Sequence, residues 1–149
     1  MQKYLLDTDI ISYAGDEDSP FYESVTSRLE NLAQDDQIFI SDLSIYEYKA
    51  GLYLMHQEMR QRLSTAFDEI VRMIEILPLS PYHGGEIFGN IRNKYKQATG
   101  ISDNALKRHT VDMILASEAV CHGMVLVYND QIYEKIAEIY PELKISKWT

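Results

Sequence analysis

Four of the 23 acidic residues stand where their carboxylates could act together. Asp7 ends the apolar run of "YLLDTDIIS", and Asp130 ends "VLVYND". Glu47 follows "IFIS" in "DLSIYEYKAG", and Asp112 opens "DMILASEA". Asp7 needs the most explanation, because Leu5, Leu6, Ile10 and Ile11 around it favour the interior, and a buried, unpaired carboxylate is expensive. Either it turns back onto backbone donors or something positive stands beside it. Two carboxylates about 4 Å apart repel by roughly 4 kcal/mol at an effective dielectric of 20. Four gathered acids therefore need protons or a cation. Oxygen ligands, with no Cys or His at metal spacing, select a hard ion such as Mg²⁺ or Mn²⁺. Such an ion polarises a phosphoryl oxygen and eases the ionisation of bound water. The chemistry implied is hydrolysis of a phosphate ester.

Each acid also has an ordinary use. Asp130 in "YNDQIYEKI" can cap the following helix, Asp112 can complement a helix dipole, and Glu47 can face solvent.

The elements that must position these acids alternate along the chain. "KYLLD", "QIFIS" and "MVLVYND" read as buried strands, "ILPL" as a short strand stopped by Pro78 and Pro81, and "LKISKW" as an edge strand. "SPFYESVTSRLENLAQ" is predicted helical, with Ser19 as cap and Pro20 in the first turn. In "DLSIYEYKAGLYLM", Leu43, Tyr46, Ala50 and Leu54 fall on one helical stripe, and in "RQRLSTAFDEIVRMIE" so do Leu63, Phe67, Ile70 and Ile74. "YHGGEIFGNIRNKYKQATG" predicts a helix ending near Gly100, "HTVDMILASEAVCHG" one with a glycine just past its end, and "QIYEKIAEIY" a short helix. This alternation argues an α/β domain with a mainly parallel central sheet flanked by helices. Ligands of such sheets bind beyond the carboxyl ends of the strands, where "LLD" and "VYND" deliver their acids.

Composition agrees with one folded domain over residues 1–149: 46% of residues are hydrophobic and 11% aromatic. No repeat, linker or low-complexity tract interrupts it. The apolar runs are too short to span a bilayer, and "MQKYLLD" lacks the apolar core of a signal peptide. The lone Cys121 excludes an internal disulfide and suits a reducing cytoplasm. The formal charge of −9 disfavours generalised nucleic-acid binding, which depends on Lys and Arg, and suits a cation or a basic protein partner.

In order, these blocks resemble the PIN domain, a metal-dependent nuclease fold, and within it the VapC-type toxins of toxin–antitoxin pairs. The family opens with Leu-Asp-Thr-Asn and an apolar pair; here the stretch is "LLDTDII". "ISDLSIYEYKAG" supplies the second acid and its glycine, "DMILASEAVCHG" the third block, "VLVYND" the fourth, and "LKISKW" the closing strand and Trp. The resemblance spans nearly the whole chain. It implies that Asp7, Glu47, Asp112 and Asp130 form the family's acidic quartet. Asp7 and Asp112 would be the most direct Mg²⁺ or Mn²⁺ ligands, with Glu47 and Asp130 completing the shell partly through water. It further implies a metal-dependent endoribonuclease that cuts RNA without a covalent enzyme intermediate, a small antitoxin as partner, and a homodimer.

Three departures from the family's pattern bear on this. Asp9 replaces the usual Asn and, with Asn129, is expected just outside the ligand set. Tyr128 stands where a small hydroxyl residue is common, and residues 80–109 form a long stretch able to reshape the substrate groove. Arg92, Lys94, Lys96, Lys107 and Arg108 place five of the 14 basic residues within 92–108, where Asp103 is the only acid. With Tyr95 they are candidates for holding the RNA backbone and stacking a base, or simply a solvated helix face. Two rival readings are a haloacid dehalogenase-like phosphatase with Asp7 as nucleophile, which leaves Glu47 and Asp112 without work, and a PIN-like binding module that no longer cuts.

Overall fold

A computed structural model describes all 149 residues. The chain runs β1 (Lys3–Leu6), α1 (Thr8–Ala14), α2 (Tyr22–Glu30), β2 (Gln37–Ser41), α3 (Asp42–Leu52), α4 (Gln57–Met73), β3 (Glu75–Leu77), α5 (Pro81–Thr99), α6 (Asp103–Lys107), α7 (Thr110–Cys121), β4 (Val125–Tyr128), α8 (Ile132–Ile139) and β5 (Lys144–Lys147). All five strands are parallel, in the order β3-β2-β1-β4-β5. The chain builds outward from β1 through β2 to β3, then returns to lay β4 on the other side of β1. The order therefore reverses between β1 and β4, the position where open α/β sheets bind ligands.

Successive residues of a strand face opposite sides of the sheet, and β1 divides the core accordingly. Leu5 packs with Leu126, Met113, Ile91 and Tyr133 on the side of α5, α7 and α8. Leu6 packs with Ile40, Val127, Phe67 and Trp148 on the side of α1 to α4. Covered on both faces, β1, β2 and β4 carry apolar residues without alternation, as buried parallel strands do. No helix is long and apolar enough to cross a membrane.

The structure differs from the sequence reading at four elements. α1 was not foreseen: it begins one residue after β1, with Asp7 as its N-cap residue, so "LLDTDII" reads as one extended apolar run. The five-residue α6 within residues 80–109 is too short to leave a periodic signal. α2 starts at Tyr22, and the Ser19 hydroxyl accepts from the Phe21 N–H instead of capping the helix. In α3 the stripe Leu43, Tyr46, Ala50, Leu54 points largely outward, Tyr46 being 78% exposed, and Ser44, Tyr48 and Leu52 face the core. Apolar residues surround this helix, so spacing alone did not select its buried side.

α5 is anchored to α7 through Glu118, whose buried Oε1 accepts from the Ser80 N–H at 3.0 Å. That satisfies one of the helix-end donors of α5 that lack an intrahelical partner. A Cβ on Gly84 would lie 2.6 Å from this same oxygen, whereas a Cβ on Gly85 meets nothing within 4 Å. Gly84→Ala should therefore cost about 1–3 kcal/mol in urea unfolding. Gly85→Ala, in the same helix, should be neutral or stabilise by up to about 1 kcal/mol.

Candidate functional site

The backbone of Asp7 is committed to structure on both sides. Its N–H donates to the Val127 carbonyl at 3.0 Å, tying β1 to β4, and its carbonyl accepts from Ile10 N–H at 3.1 Å as α1 begins. Its side chain makes no cap bond. The carboxylate is left free at the carboxyl end of the central strand, 5% exposed, where the strand order reverses.

A tyrosine that the sequence reading passed over meets it there. The Tyr133 hydroxyl lies 3.2 Å from Asp7 Oδ1 and 3.3 Å from Asp112 Oδ1, joining β1 to the first turn of α7. Tyr133 is itself fully buried near the start of α8. Its signal was present in "QIYEKIAEIY": a large ring on the buried face of an amphipathic helix, three residues beyond Asp130, brings a hydroxyl that needs a partner.

The remaining acids gather at graded distance. Asp130 lies in the turn before α8, whose N-cap residue is Gln131; its Oδ1 accepts from the N–H of Ile132, the first residue of the helix, at 3.0 Å. Its charge also pushes up the carboxyl pKa values of Asp9 and Asp112, second in each case to burial. Glu47 is exposed on α3 and joins through Thr8, whose hydroxyl donates to Glu47 Oε1 at 2.6 Å. Thr8, Asp9, Ser12 and Glu47 help line a cleft of about 170 Å³ beside α1 and α3. Asn129 stands apart from the carboxylates, donating to the Tyr13 hydroxyl at 3.1 Å and accepting from Thr149 at 2.7 Å.

The electrostatics are those of acids that no Lys or Arg neutralises. Burial, then the neighbouring Asp9 charge, raises the Asp7 pKa from 3.8 to about 7. No Lys or Arg is paired with Asp7, Asp9, Asp112 or Asp130, and His109 Nδ1, 3.6 Å from Asp112 Oδ2, is their one ion-pair neighbour. No three Asp, Glu, His or Cys side chains are drawn together closely enough to hold an ion by themselves. Mg²⁺ does not demand that, since it keeps several waters and binds through one or two carboxylates. Asp7, buried, and Asp112, partly buried, share one hydroxyl and fit that requirement.

The basic candidates divide. Tyr95 is corrected: its ring is 4% exposed in the core beside Ile91 and Leu106, because it falls on the inward face of α5, and it offers no stacking platform. Lys96 is paired with Asp103, and the charges of Arg92 and Lys107 also act on that aspartate. Lys94 lies over the Tyr140 ring at 5.2 Å. Lys107 and Arg108 are exposed just ahead of α7, the helix that carries Asp112.

Comparison with known proteins agrees with this architecture. The PIN domain family matches residues 4–139, and the chain belongs to that family. Among solved structures, a chain of the VapBC2 complex from Rickettsia felis, bound to a promoter DNA fragment, superposes with a TM-score of 0.79 at 24% identity, covering 99% of this chain and 100% of that one. A chain of VapBC-1 from nontypeable Haemophilus influenzae gives 0.72 at 19% identity, covering 99% and 98%. One of DNA-bound VapBC from Salmonella typhimurium gives 0.73 at 19%, covering 100% of both. At these identities the likeness is one of fold. No curated protein sequence matches.

The raised Asp7 pKa fixes a pH dependence. The folded protein holds this proton more tightly than the unfolded chain, so without metal the Asp7 contribution to stability is fully present below about pH 4 and is lost as pH rises to about 7. A shift from 3.8 to about 7 corresponds to about 4 kcal/mol. Urea unfolding in EDTA should show this decline, and Asp7→Asn should remove most of it and be the more stable protein at pH 8.

Proposed function

We propose that the chain is a Mg²⁺- or Mn²⁺-dependent endoribonuclease acting as the toxin of a type II toxin–antitoxin pair. The observation that carries this reading is the meeting of Asp7 and Asp112 on one tyrosine hydroxyl at the sheet's switch point, with Asp9 and Asp130 close enough to perturb them and no Lys or Arg paired with the set. When bound, the ion supplies Lewis-acid polarisation of the scissile phosphodiester and favours ionisation of water.

Each side chain has a part in this scheme. Asp7 and Asp112 hold the ion through carboxylate oxygens. Glu47, steadied by Thr8, and Asp130, fixed by its bond from Ile132 N–H, are proposed to orient water by accepting hydrogen bonds. Asp9 adds negative charge beside Asp7, and Asn129 orders the Tyr13 hydroxyl at the margin. Lys107 and Arg108, with Arg92, Lys94 and Lys96 farther along α5, are proposed to meet the RNA phosphates. Water attacks phosphorus directly, so no enzyme nucleophile is consumed.

The acidic composition supports an inhibitor that places Arg or Lys against these carboxylates, where charge-assisted bonds are strongest. The superposable VapBC structures are complexes of toxin–antitoxin proteins, which supports an antitoxin as that inhibitor here. Tyr46, Tyr53 and Leu54, exposed on and just beyond α3, support a homodimer. The lone cysteine supports a cytoplasmic setting. A dehalogenase-like phosphatase is less well supported, since it gives no work to Asp112, which shares a hydroxyl with Asp7.

Cleavage of a mixed single-stranded and structured RNA pool should require Mn²⁺ or Mg²⁺ and cease in EDTA. Loss of an outer partner of a metal ligand typically costs 10–100-fold, so Asp7→Asn and Asp112→Asn, which alter ligands themselves, should each lose more than roughly 100-fold. Hydrolysis of p-nitrophenyl phosphate lost in Asp7→Asn but kept in Asp112→Asn would instead indicate a phosphatase, and no metal-dependent activity on either substrate a binding module.

A further inference from the structure

We propose that Tyr133 is a positioning residue of the metal site: its hydroxyl sets the separation of the Asp7 and Asp112 carboxylates and holds both in ligating orientation. The proposal rests on the metal-site reading above. Packing explains the ring but not the oxygen. The ring sits in the core beside Tyr128, at 6.0 Å between centroids and 63° between planes, together with Ile136 and Leu126. Phenylalanine would fill that space without burying a polar atom, and a buried hydroxyl is retained at a cost unless it is bonded. Its partners are the two carboxylates.

The geometry describes a spacer. One hydroxyl carries one proton, yet it faces two acceptors at 3.2 and 3.3 Å. Both distances exceed the usual 2.7–2.8 Å of an O–H···O bond. The oxygen therefore sits between the acids without closing fully on either. The two acids come from separate elements, β1 and α7, and no backbone hydrogen bond ties Asp7 to Asp112.

Tyr133 can act as a spacer because α8 is itself fixed at its start. Asp130 accepts from Ile132 N–H through its side chain and from Tyr133 N–H through its carbonyl at 3.3 Å. The Tyr128 hydroxyl donates to Glu134 Oε1 at 2.8 Å one helical residue farther on. The residue that brings negative charge to the site thus also locates the hydroxyl that spaces the other two acids.

Mn²⁺ binding should be measured by calorimetry on the full chain as wild type, Tyr133→Phe, Tyr82→Phe and Asp7→Asn. The expected result is roughly 10–100-fold weaker Mn²⁺ binding in Tyr133→Phe, wild-type affinity in Tyr82→Phe, whose ring is exposed on α5, and no binding in Asp7→Asn. RNA cleavage by Tyr133→Phe should recover as Mn²⁺ is raised, with KM for RNA unchanged. A Tyr133→Phe affinity within twofold of wild type, with binding still lost in Asp7→Asn, would overturn the role of Tyr133 and leave the metal site standing. Failure of the wild type to bind Mn²⁺, or undiminished binding in Asp7→Asn, would overturn both. A folding-independent check uses wild-type protein labelled with ¹³C at the tyrosine ring Cζ. Mg²⁺ should displace at least one resonance, and if none moves the proposal is wrong.

Discussion

The central strand of this protein delivers a carboxylate into a position where water cannot fully solvate it and no side-chain cation meets it. Asp7 has no freedom to avoid this. Its N–H is spent on β4 and its carbonyl on the start of α1, so the side chain must project from the end of β1 into the gap opened by the reversal of strand order. Much of the surrounding structure follows from that constraint. α7 brings a second acid to the gap, α8 brings a hydroxyl between them, and the loop after β4 supplies the acid that begins α8. Burial and the neighbouring Asp9 charge disfavour the ionised form of Asp7, so its charged state is held at the expense of the free protein's stability.

Charge elsewhere in the molecule is arranged so as not to cancel this. Arg92, Lys96 and Lys107 gather about Asp103, and Arg62 lies near Asp16 and Asp18. None reaches the four carboxylates at the sheet edge. A highly acidic chain with its cations held away from its acidic centre suits a ligand or partner that brings positive charge with it.

The strands were legible because strands buried on both faces are short apolar runs with sharp ends, and "QIFIS" and "VLVY" have no other plausible use. α4, α5 and α7 were legible from helical spacing and from the glycines that follow two of them, Gly100 and Gly123, both with positive φ. Where several faces of a helix are apolar, as in α3, spacing loses its power: Tyr46 and Leu54 read as core and are solvent-facing, whereas Ser44 is buried. Tyr95 misled for the complementary reason. Its basic neighbours suggested a binding surface, but one step along a helix turns a side chain by about 100°, enough to bury Tyr95 between the exposed Lys94 and Lys96.

The acids Asp7, Glu47, Asp112 and Asp130 were visible by themselves, because burying or clustering carboxylates is costly; Asp7 and Asp130 follow apolar strands, Asp112 lies in the first turn of α7, and Glu47 lies within α3. What no linear reading supplied was their relation. That Asp7 and Asp112 share one hydroxyl, that Glu47 is bonded by Thr8, and that Asp130 repels Asp9 and Asp112 depend on contacts between residues far apart in the chain. Residue type and spacing determined which elements form and where charge would be expensive. Only the packing of β1, α7 and α8 decided which oxygen atoms meet, since a distance of about 3 Å is set by side-chain direction and tertiary registry, neither of which local sequence encodes.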